Sequence, residues 1–346
     1  MKSSITIGNR TIGEDFPPLV IPEIGINHGG DVEKAKRMVD DAARAGAEVV
    51  KFQCHVIEDE MVPAAKRTIP GNAKESIWDI MARCALTEEE DQELKRLTEA
   101  LGMIYLSTPF SRAAADRLAR MDVSAFKIGS GECNNYPLIA HITSLGKPII
   151  ISTGMNDLPS IARAVDIMRE YRIPFGLMHC TSLYPTPYRH VRLGALAQLR
   201  ETFPDAVIGL SDHTVDNYTC LGAAALGASL LERHFTSDKS WPGPDMPISM
   251  DPVELRALIN GSRAMFEARG GEKLILPEEQ PTIDFAYACV VSIRKIPKGS
   301  SLTRENLWVK RPGTGEIKAK HFESLLGKTA TEDIPADTQI LWRHVQ

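Results

Sequence analysis

The sequence predicts an α/β protein: a (β/α)8 TIM barrel followed by a small, mainly β domain. Three observations carry this expectation. Short, continuously apolar, β-branched runs recur at 19–25, 48–53, 103–108, 125–130, 148–153, 175–180, 206–212 and 228–235, the pattern of strands buried on both faces. Segments with helical spacing separate them, as parallel β–α alternation requires. After the first run stands Asn27-His28-Gly29-Gly30-Asp31, not the Gly-rich phosphate loop of an open doubly wound sheet.

The first helix is typical of the rest. Asp31 is placed to cap it, Val32, Ala35, Val39 and Ala42 recur at helical intervals, and Gly46 closes it. The segments 87–102, 111–121, 157–172 and 214–227 read alike. The connection 54–86 is too long for a turn and carries Ile69-Pro70-Gly71-Asn72; a loop of that length is expected to cover an active site. After Gly270-Gly271-Glu272 the composition shifts. The expected organisation is a barrel domain at 1–270, a linker at 271–284, and a small β domain at 285–346 with β runs at 288–293 and 307–310.

Composition excludes several classes. With 43% hydrophobic and 25% charged residues and a formal net charge of −5, the chain gives no reason to expect nucleic acid or an anionic membrane as partner. No apolar run approaches the ~20 residues that span a bilayer. The opening MKSSITIGNRTIGEDF lacks the apolar core and cleavage site of a secretory signal, so the cytoplasm is the expected compartment. Six scattered cysteines with no CxxC pair predict free thiols buried as small hydrophobes.

In such a barrel the chemistry sits at the carboxyl ends of the strands. Here every strand end is polar. In order they carry Glu23 and Asn27-His28; Lys51 and Gln53; Ser107-Thr108; Lys127, Ser130 and Glu132; Ser152-Thr153; His179, Thr181-Ser182 and Tyr184; Ser211, Asp212 and His213; and Glu232 and His234. Lys51 and Lys127 lie within their strands, where an ammonium is costly unless an anion meets it. Three readings are open: internal ion pairs with Glu23, Glu132 or Glu232, a Schiff-base lysine, or a doubly basic pocket for a phosphate and a carboxylate. Hydroxyls at Ser107, Thr108, Ser130, Ser152 and Ser182 favour the last.

His213 and His234 end consecutive strands and are expected to face each other beside Asp212 and Glu232. Two imidazoles leave open positions for water and substrate, which suits a weakly held Mn²⁺ or similar ion better than tight zinc. His28, His55 and His179 are weaker metal candidates, and His141, His190, His321 and His344 read as surface.

These segments carry a family resemblance. Ile24-Gly25-Ile26-Asn27-His28, Ser107-Thr108-Pro109-Phe110-Ser111, Lys127-Ile128-Gly129-Ser130-Gly131-Glu132, Ile151-Ser152-Thr153-Gly154-Met155, His179-Cys180-Thr181, Tyr184-Pro185-Thr186-Pro187, Gly209-Leu210-Ser211-Asp212-His213-Thr214 and Leu231-Glu232-Arg233-His234-Phe235-Thr236 resemble the bacterial N-acetylneuraminate (sialic acid) synthases. Trp308-Val309-Lys310-Arg311-Pro312-Gly313 resembles that family's C-terminal antifreeze-like (SAF) domain.

The resemblance implies condensation of phosphoenolpyruvate with N-acetylmannosamine to give N-acetylneuraminate and phosphate. It implies Lys51, Thr108, Lys127, Ser130, Ser152, Ser182 and Ser211 around phosphoenolpyruvate. His213 and His234 would bind Mn²⁺, with Mg²⁺ or Co²⁺ as alternatives. Gln53, Asn72, Tyr184 and Asp245 would contact the sugar, and Glu23 and Glu132 would serve proton transfer or water positioning, with Lys51 and Lys127 acting on the reacting anion. The family works as a domain-swapped homodimer, so Arg311 would reach the N-acetyl group from the partner subunit, with Phe285 lining the same cavity.

Two departures stand out. The family's His-Asn-Gly is His28-Gly29-Gly30 here, and Ser182 replaces an Asn before the Tyr-Pro-Thr-Pro run. Competing readings are a legionaminic or pseudaminic acid synthase using a 2,4-diacetamido hexose, a metal-dependent pyruvate aldolase, and a non-catalytic carbohydrate-binding protein. The aldolase would leave the two lysines unexplained, and the binding protein would leave the strand-end ring unexplained.

Overall fold

The computed structural model describes residues 3–346, which divide into two compact units at Gly270/Gly271. The first unit opens with a hairpin, β1 (Ser4–Ile7) and β2 (Arg10–Gly13), turned at Gly8 with φ +57°. Ile5, Ile7 and Ile12 are buried against Leu19, Val49, Leu106, Ile150, Met178, Val207 and Leu230, many of them at strand starts, and so plug the amino end of the barrel. Sequence reading took this stretch only as lacking a secretory signal. Its alternation covers too few residues to stand out before the barrel is in place.

Eight parallel strands follow and close on themselves: β3 (Leu19–Gly25), β4 (Val49–Cys54), β5 (Ile104–Pro109), β6 (Phe126–Ile128), β7 (Ile149–Ser152), β8 (Phe175–Cys180), β9 (Val207–Asp212) and β10 (Leu230–His234). β10 pairs with β3, which completes the ring. The expected runs lie within two residues of these strands; β6 ends at Ile128 because Ser130–Glu132 turns into a 3-10 helix.

Helix Val32–Ala45 illustrates how local chemistry sets the outer layer. The Asp31 carboxylate accepts from the Glu33 and Lys34 amides at 3.0 and 3.1 Å, and Gly46 ends the helix at φ +94°. Ala35, Met38, Val39 and Ala42 bury the inner face. The long connection after β4 is not structureless: it holds helices Ile57–Glu60 and Ile77–Cys84 and a 3-10 helix, Pro63–Arg67.

Beneath that layer a buried carboxylate joins strand to helix. Asp91 is 1% exposed, accepts the Tyr105 hydroxyl at 3.2 Å and pairs with Arg117 at 3.3 Å. Burial pushes its carboxyl from 3.8 up to about 6, against the pull of Arg117. Between about pH 4 and 6 the folded chain therefore holds a proton that the unfolded chain releases, so Asp91's contribution to stability declines as pH rises through that window. Asp91→Asn is expected to remove this decline, which is worth up to about 3 kcal/mol. Denaturant unfolding of both proteins across that window measures it; identical pH slopes would refute the assignment.

The second unit contains the antiparallel pair β11 (Cys289–Ser292) and β12 (Leu307–Lys310), isolated bridges such as Ile296↔Ile334, and its own core of Val290, Leu302, Ile317, Leu325 and Ile340. The stretch 271–284, read as linker, carries the 3-10 helix Pro277–Glu279 and most of helix Gln280–Ala286. Pro277 and Pro281 stand at first-turn positions that proline favours, a signal that reads equally as a breaker in sequence. His344, read as surface, is buried, and its Nδ1 accepts from the Leu341 amide at 3.2 Å.

All six cysteines are free and buried. Among the described residues no helix is long and apolar enough to cross a membrane.

Candidate active site

Strand alternation sorts the residues at the carboxyl end of the barrel. Glu232 and His234 of β10 face inward while Arg233, between them, faces the helices; Ser211 and His213 face inward while Asp212 faces out. Register places Glu23 opposite both Lys51 and His234. The result is a 340 Å³ cavity lined by Glu23, Lys51, Gln53, Thr108, Lys127, Ser130, Glu132, Ser152, Ser182, Tyr184, Ser211, His213, Glu232 and His234. Phe110, Gly129, Gly131 and Met155 complete its wall, residues whose types carry no chemistry that sequence could flag.

Both lysines are deeply buried, at 3% and 1% exposure. Lys51 Nζ lies 2.5 Å from Glu23 Oε2 and 3.7 Å from Glu232, and donates to Thr108 Oγ1 at 3.3 Å. Lys127 Nζ donates to Ser152 Oγ at 2.7 Å and lies 3.7 Å from Glu232. The internal ion-pair reading is thus part of the geometry. It does not exhaust it, because Glu232 stands 3.7 Å from both lysines and pairs closely with neither. Gln53 Nε2 holds the other oxygen of Glu23 at 3.0 Å, and Ser211 donates to Glu232 at 3.0 Å.

The charges are tuned by one another. Burial pulls the Lys127 ammonium down, and Lys51 adds to the effect against Glu232. Lys51 moves the other way, since the carboxylates of Glu23 and Glu232 outweigh its burial. Burial raises Glu23 to about 7, with Lys51 opposing. Burial and the Glu60 carboxylate raise Glu132 to about 7, and its Oε2 has no partner. Two carboxyls thus sit near neutrality at one cavity, a condition suited to proton transfer.

His213 and His234 come together with ring centroids 5.5 Å apart, and Tyr184 stacks on His213 at 4.1 Å. His213 Nδ1–H donates to the Thr181 carbonyl at 3.0 Å, so Nε2 is the nitrogen that a metal would take once deprotonated, the usual arrangement of a metal-ligating imidazole. His234 Nδ1 is buried without a hydrogen-bond partner, 3.7 Å from Asp245 Oδ2. Burial, then His213, pulls His234 well down, so it stays neutral, while burial raises the Asp245 carboxyl to about 6. Among the described residues no group of three or more His, Cys, Asp or Glu side chains could hold a metal by itself. The residues fit an ion taken by two imidazoles with its other positions left to water or substrate.

Burial alone would lower His213; the Cys180 sulfur as thiolate and the Thr181 carbonyl push it up to about 9. A cation taken at His213 would have to displace that proton, so its binding would weaken as pH falls.

A glycine marks the place of each departure. Gly29 adopts φ +63° with open space around it, a conformation that Asn, the family's residue, tolerates better than most. A Cβ on Gly154 would lie 2.4 Å from Ser182 Oγ and 2.8 Å from Ser130 Oγ, so the two hydroxyls converge over a residue with no side chain.

Not every expected residue lies at this cavity. Asn72 lines a separate 690 Å³ cavity with Asn27, His28, Lys34 and Trp241. Asp245 stands behind His234. Phe285 and Arg311 belong to the second unit, where the Arg311 guanidinium lies 5.7 Å from the Phe285 ring centre. His28 is buried with Nδ1 accepting from Gly30, and His55 bonds Glu60 and Gln53.

Sequence reading missed Arg233. Its side chain is fully buried, with Nη1 donating to Asn217 at 2.7 Å and Nη2 to the Thr214 carbonyl at 2.7 Å, so it ties down the turn that carries His213. Alternation from Glu232 and His234 was the available signal.

A closed parallel barrel with two buried lysines, poised carboxyls and paired imidazoles at its mouth defines a (β/α)8-barrel enzyme whose site suits an anionic substrate. Comparison with known proteins narrows this class. Residues 38–273 match the NeuB family and residues 287–346 the SAF domain. An uncharacterized protein of Methanocaldococcus jannaschii is 37% identical over 98% of this chain and 97% of its own length. N,N'-diacetyllegionaminic acid synthase of Legionella pneumophila is 35% identical over 98% of both chains. N-acetylneuraminate-9-phosphate synthase of Homo sapiens is 33% identical over 96% of this chain and 94% of its own. The crystal structure of N-acetylneuraminic acid (sialic acid) synthetase from Leptospira borgpetersenii, 31% identical, superposes with a TM-score of 0.75 over 82% of this chain and 96% of that one.

The chain belongs to the NeuB family. It is an enzyme of the sialic acid synthase type, a nonulosonate synthase with a C-terminal SAF domain.

Proposed function

We propose that the enzyme condenses phosphoenolpyruvate with N-acetylmannosamine and water to give N-acetylneuraminate and inorganic phosphate. The observation that carries the proposal is that two buried lysines, several hydroxyl donors and two imidazoles line a single cavity. Lys51 and Lys127, with Thr108, Ser130, Ser152, Ser182 and Ser211, hold the phosphate and carboxylate. Gln53 and Tyr184 hold the sugar; Asn72 and Asp245, which lie off this cavity, are assigned to it by family resemblance alone. His213 and His234 hold a divalent cation, preferably Mn²⁺, which when bound polarises the sugar aldehyde.

The enol carbon of phosphoenolpyruvate forms the new bond to the aldehyde carbon, water adds at C2, and the C–O bond to phosphate breaks. Lys51 and Lys127 keep the anion's charge balanced throughout. Glu132, near neutrality at about 7, is suited to deliver a proton to the aldehyde oxygen, and Glu23 to take one from water. Arg311 and Phe285 are assigned by family resemblance to a partner subunit's sugar pocket in a domain-swapped homodimer.

One observation favours a second reading. The 35% identical Legionella relative is a legionaminic acid synthase, so a 2,4-diacetamido hexose is the alternative acceptor. The barrel chemistry is the same for both.

Phosphate release from phosphoenolpyruvate, measured with each sugar before and after chelation, tests the proposal. N-acetylmannosamine is expected to support release, and chelation to cut it by about 100-fold, restored by Mn²⁺. Release only with the 2,4-diacetamido sugar moves the assignment to the alternative, and activity untouched by thorough chelation removes the cation.

A further inference from the structure

A third cavity, of 680 Å³, opens outside the barrel wall between the loop at 153–158 and the segment at 192–199. Lys51, Lys127, His213 and His234 do not line it. At its floor is His179, which sequence reading kept as a weak metal candidate. Met178, the preceding residue of β8, packs in the barrel interior, so His179 faces away from it.

His179 is 6% exposed, and its Nε2–H donates to the Val191 carbonyl at 2.6 Å. That bond settles the tautomer: Nδ1 carries a lone pair, and no donor of the described residues meets it. Burial pulls the ring's pKa down, with the nearby Arg192 charge adding to it, so the acceptor stays neutral.

Arg192 lines the same cavity and closes helix Tyr188–Val191 at φ +55°, where glycine is the ordinary choice and an L side chain is held at a cost. No acidic side chain pairs with its guanidinium among the described residues. Asp157, the one carboxylate on the lining, is committed to its helix, since Oδ1 accepts from the Ser160 amide at 3.0 Å. The Gln198 amide also lines the cavity without a protein partner. A neutral buried acceptor, an unpaired guanidinium and a free amide thus converge on a volume suited to a monosaccharide-sized molecule.

We propose that this lateral cavity is a second small-molecule site, for a hydroxylated anion. Arg192 takes the carboxylate or phosphate, His179 Nδ1 accepts from a neighbouring hydroxyl, and Gln198 adds a further contact. The site shares Met155 with the barrel-mouth cavity but none of its charged or hydroxyl groups, and it does not rest on the choice of sugar.

Calorimetric titration of the intact enzyme with inorganic phosphate, glycerol 3-phosphate and gluconate tests it. Glycerol 3-phosphate or gluconate is expected to bind the wild type and Lys127→Met alike, and the tighter of the two identifies the anionic group. Arg192→Ala, an exposed substitution that leaves melting unchanged, is expected to weaken that binding by about tenfold. His179→Phe is expected to abolish the preference for the hydroxylated probes over inorganic phosphate. Absence of binding by every probe overturns the proposal. So does binding lost in Lys127→Met but kept in Arg192→Ala, which puts the anion at the barrel mouth. Inorganic phosphate binding the wild type as tightly as both hydroxylated probes overturns the role of His179.

Discussion

Lys127→Ala is expected to lower phosphate release by about 10³-fold or more, a loss on the scale of removing a preorganised charge from a developing anion. The ammonium is 1% exposed and hydrogen-bonded to Ser152 at 2.7 Å, so water cannot take its place without rearrangement. Its removal also leaves Glu232 with Lys51 as the remaining lysine partner, at 3.7 Å. The methionine variant separates the two consequences. Lys127→Met keeps most of the volume and removes only the charge, and burial already disfavours that charge in the folded chain. It is expected to fold with stability within about 1.5 kcal/mol of wild type while losing as much activity as the alanine variant. A methionine variant within tenfold of wild-type turnover would remove Lys127 from the anion site.

His234→Ala is expected to abolish metal-dependent turnover, by about 10²-fold or more, and to weaken Mn²⁺ binding in parallel. His234 is buried, its Nδ1 has no hydrogen-bond partner, and burial pulls its pKa well down, so the ring is neutral and a lone pair is available near neutral pH. His213 differs: its imidazole holds a proton up to about 9, and a cation must displace it. Mn²⁺ affinity is therefore expected to fall as pH drops below about 9, through the proton on His213. Titration of free Mn²⁺ by its paramagnetic resonance signal reads both effects without an activity assay. Unchanged Mn²⁺ affinity in His234→Ala would place the ion elsewhere.

Particular residues mark how much of this was legible beforehand. The strands were, because eight apolar runs buried on both faces leave a periodicity that survives without tertiary context. Lys51, Lys127, His213 and His234 were legible as anomalies, charged or titratable groups where strands should be apolar. Gln53, Ser211 and Tyr184 were legible as polar strand ends. The N-terminal hairpin was not, since its three isoleucines gain meaning only from the barrel floor they plug. Nor was helix Gln280–Ala286, whose prolines read as breakers until their first-turn position is known. Arg233 was hidden by sitting between two more conspicuous residues.

The amino-acid sequence by itself determined the barrel, its strand order and the chemical types gathered at its mouth, because burial and alternation act locally along each strand. Only the tertiary structure decided which of those groups neutralise one another. The ion pair of Lys51 with Glu23 depends on register between neighbouring strands, and the proximity of His213 to His234 depends on strand tilt and closure. The same closure turned His179 outward to a cavity of its own, which no pattern along the chain announces.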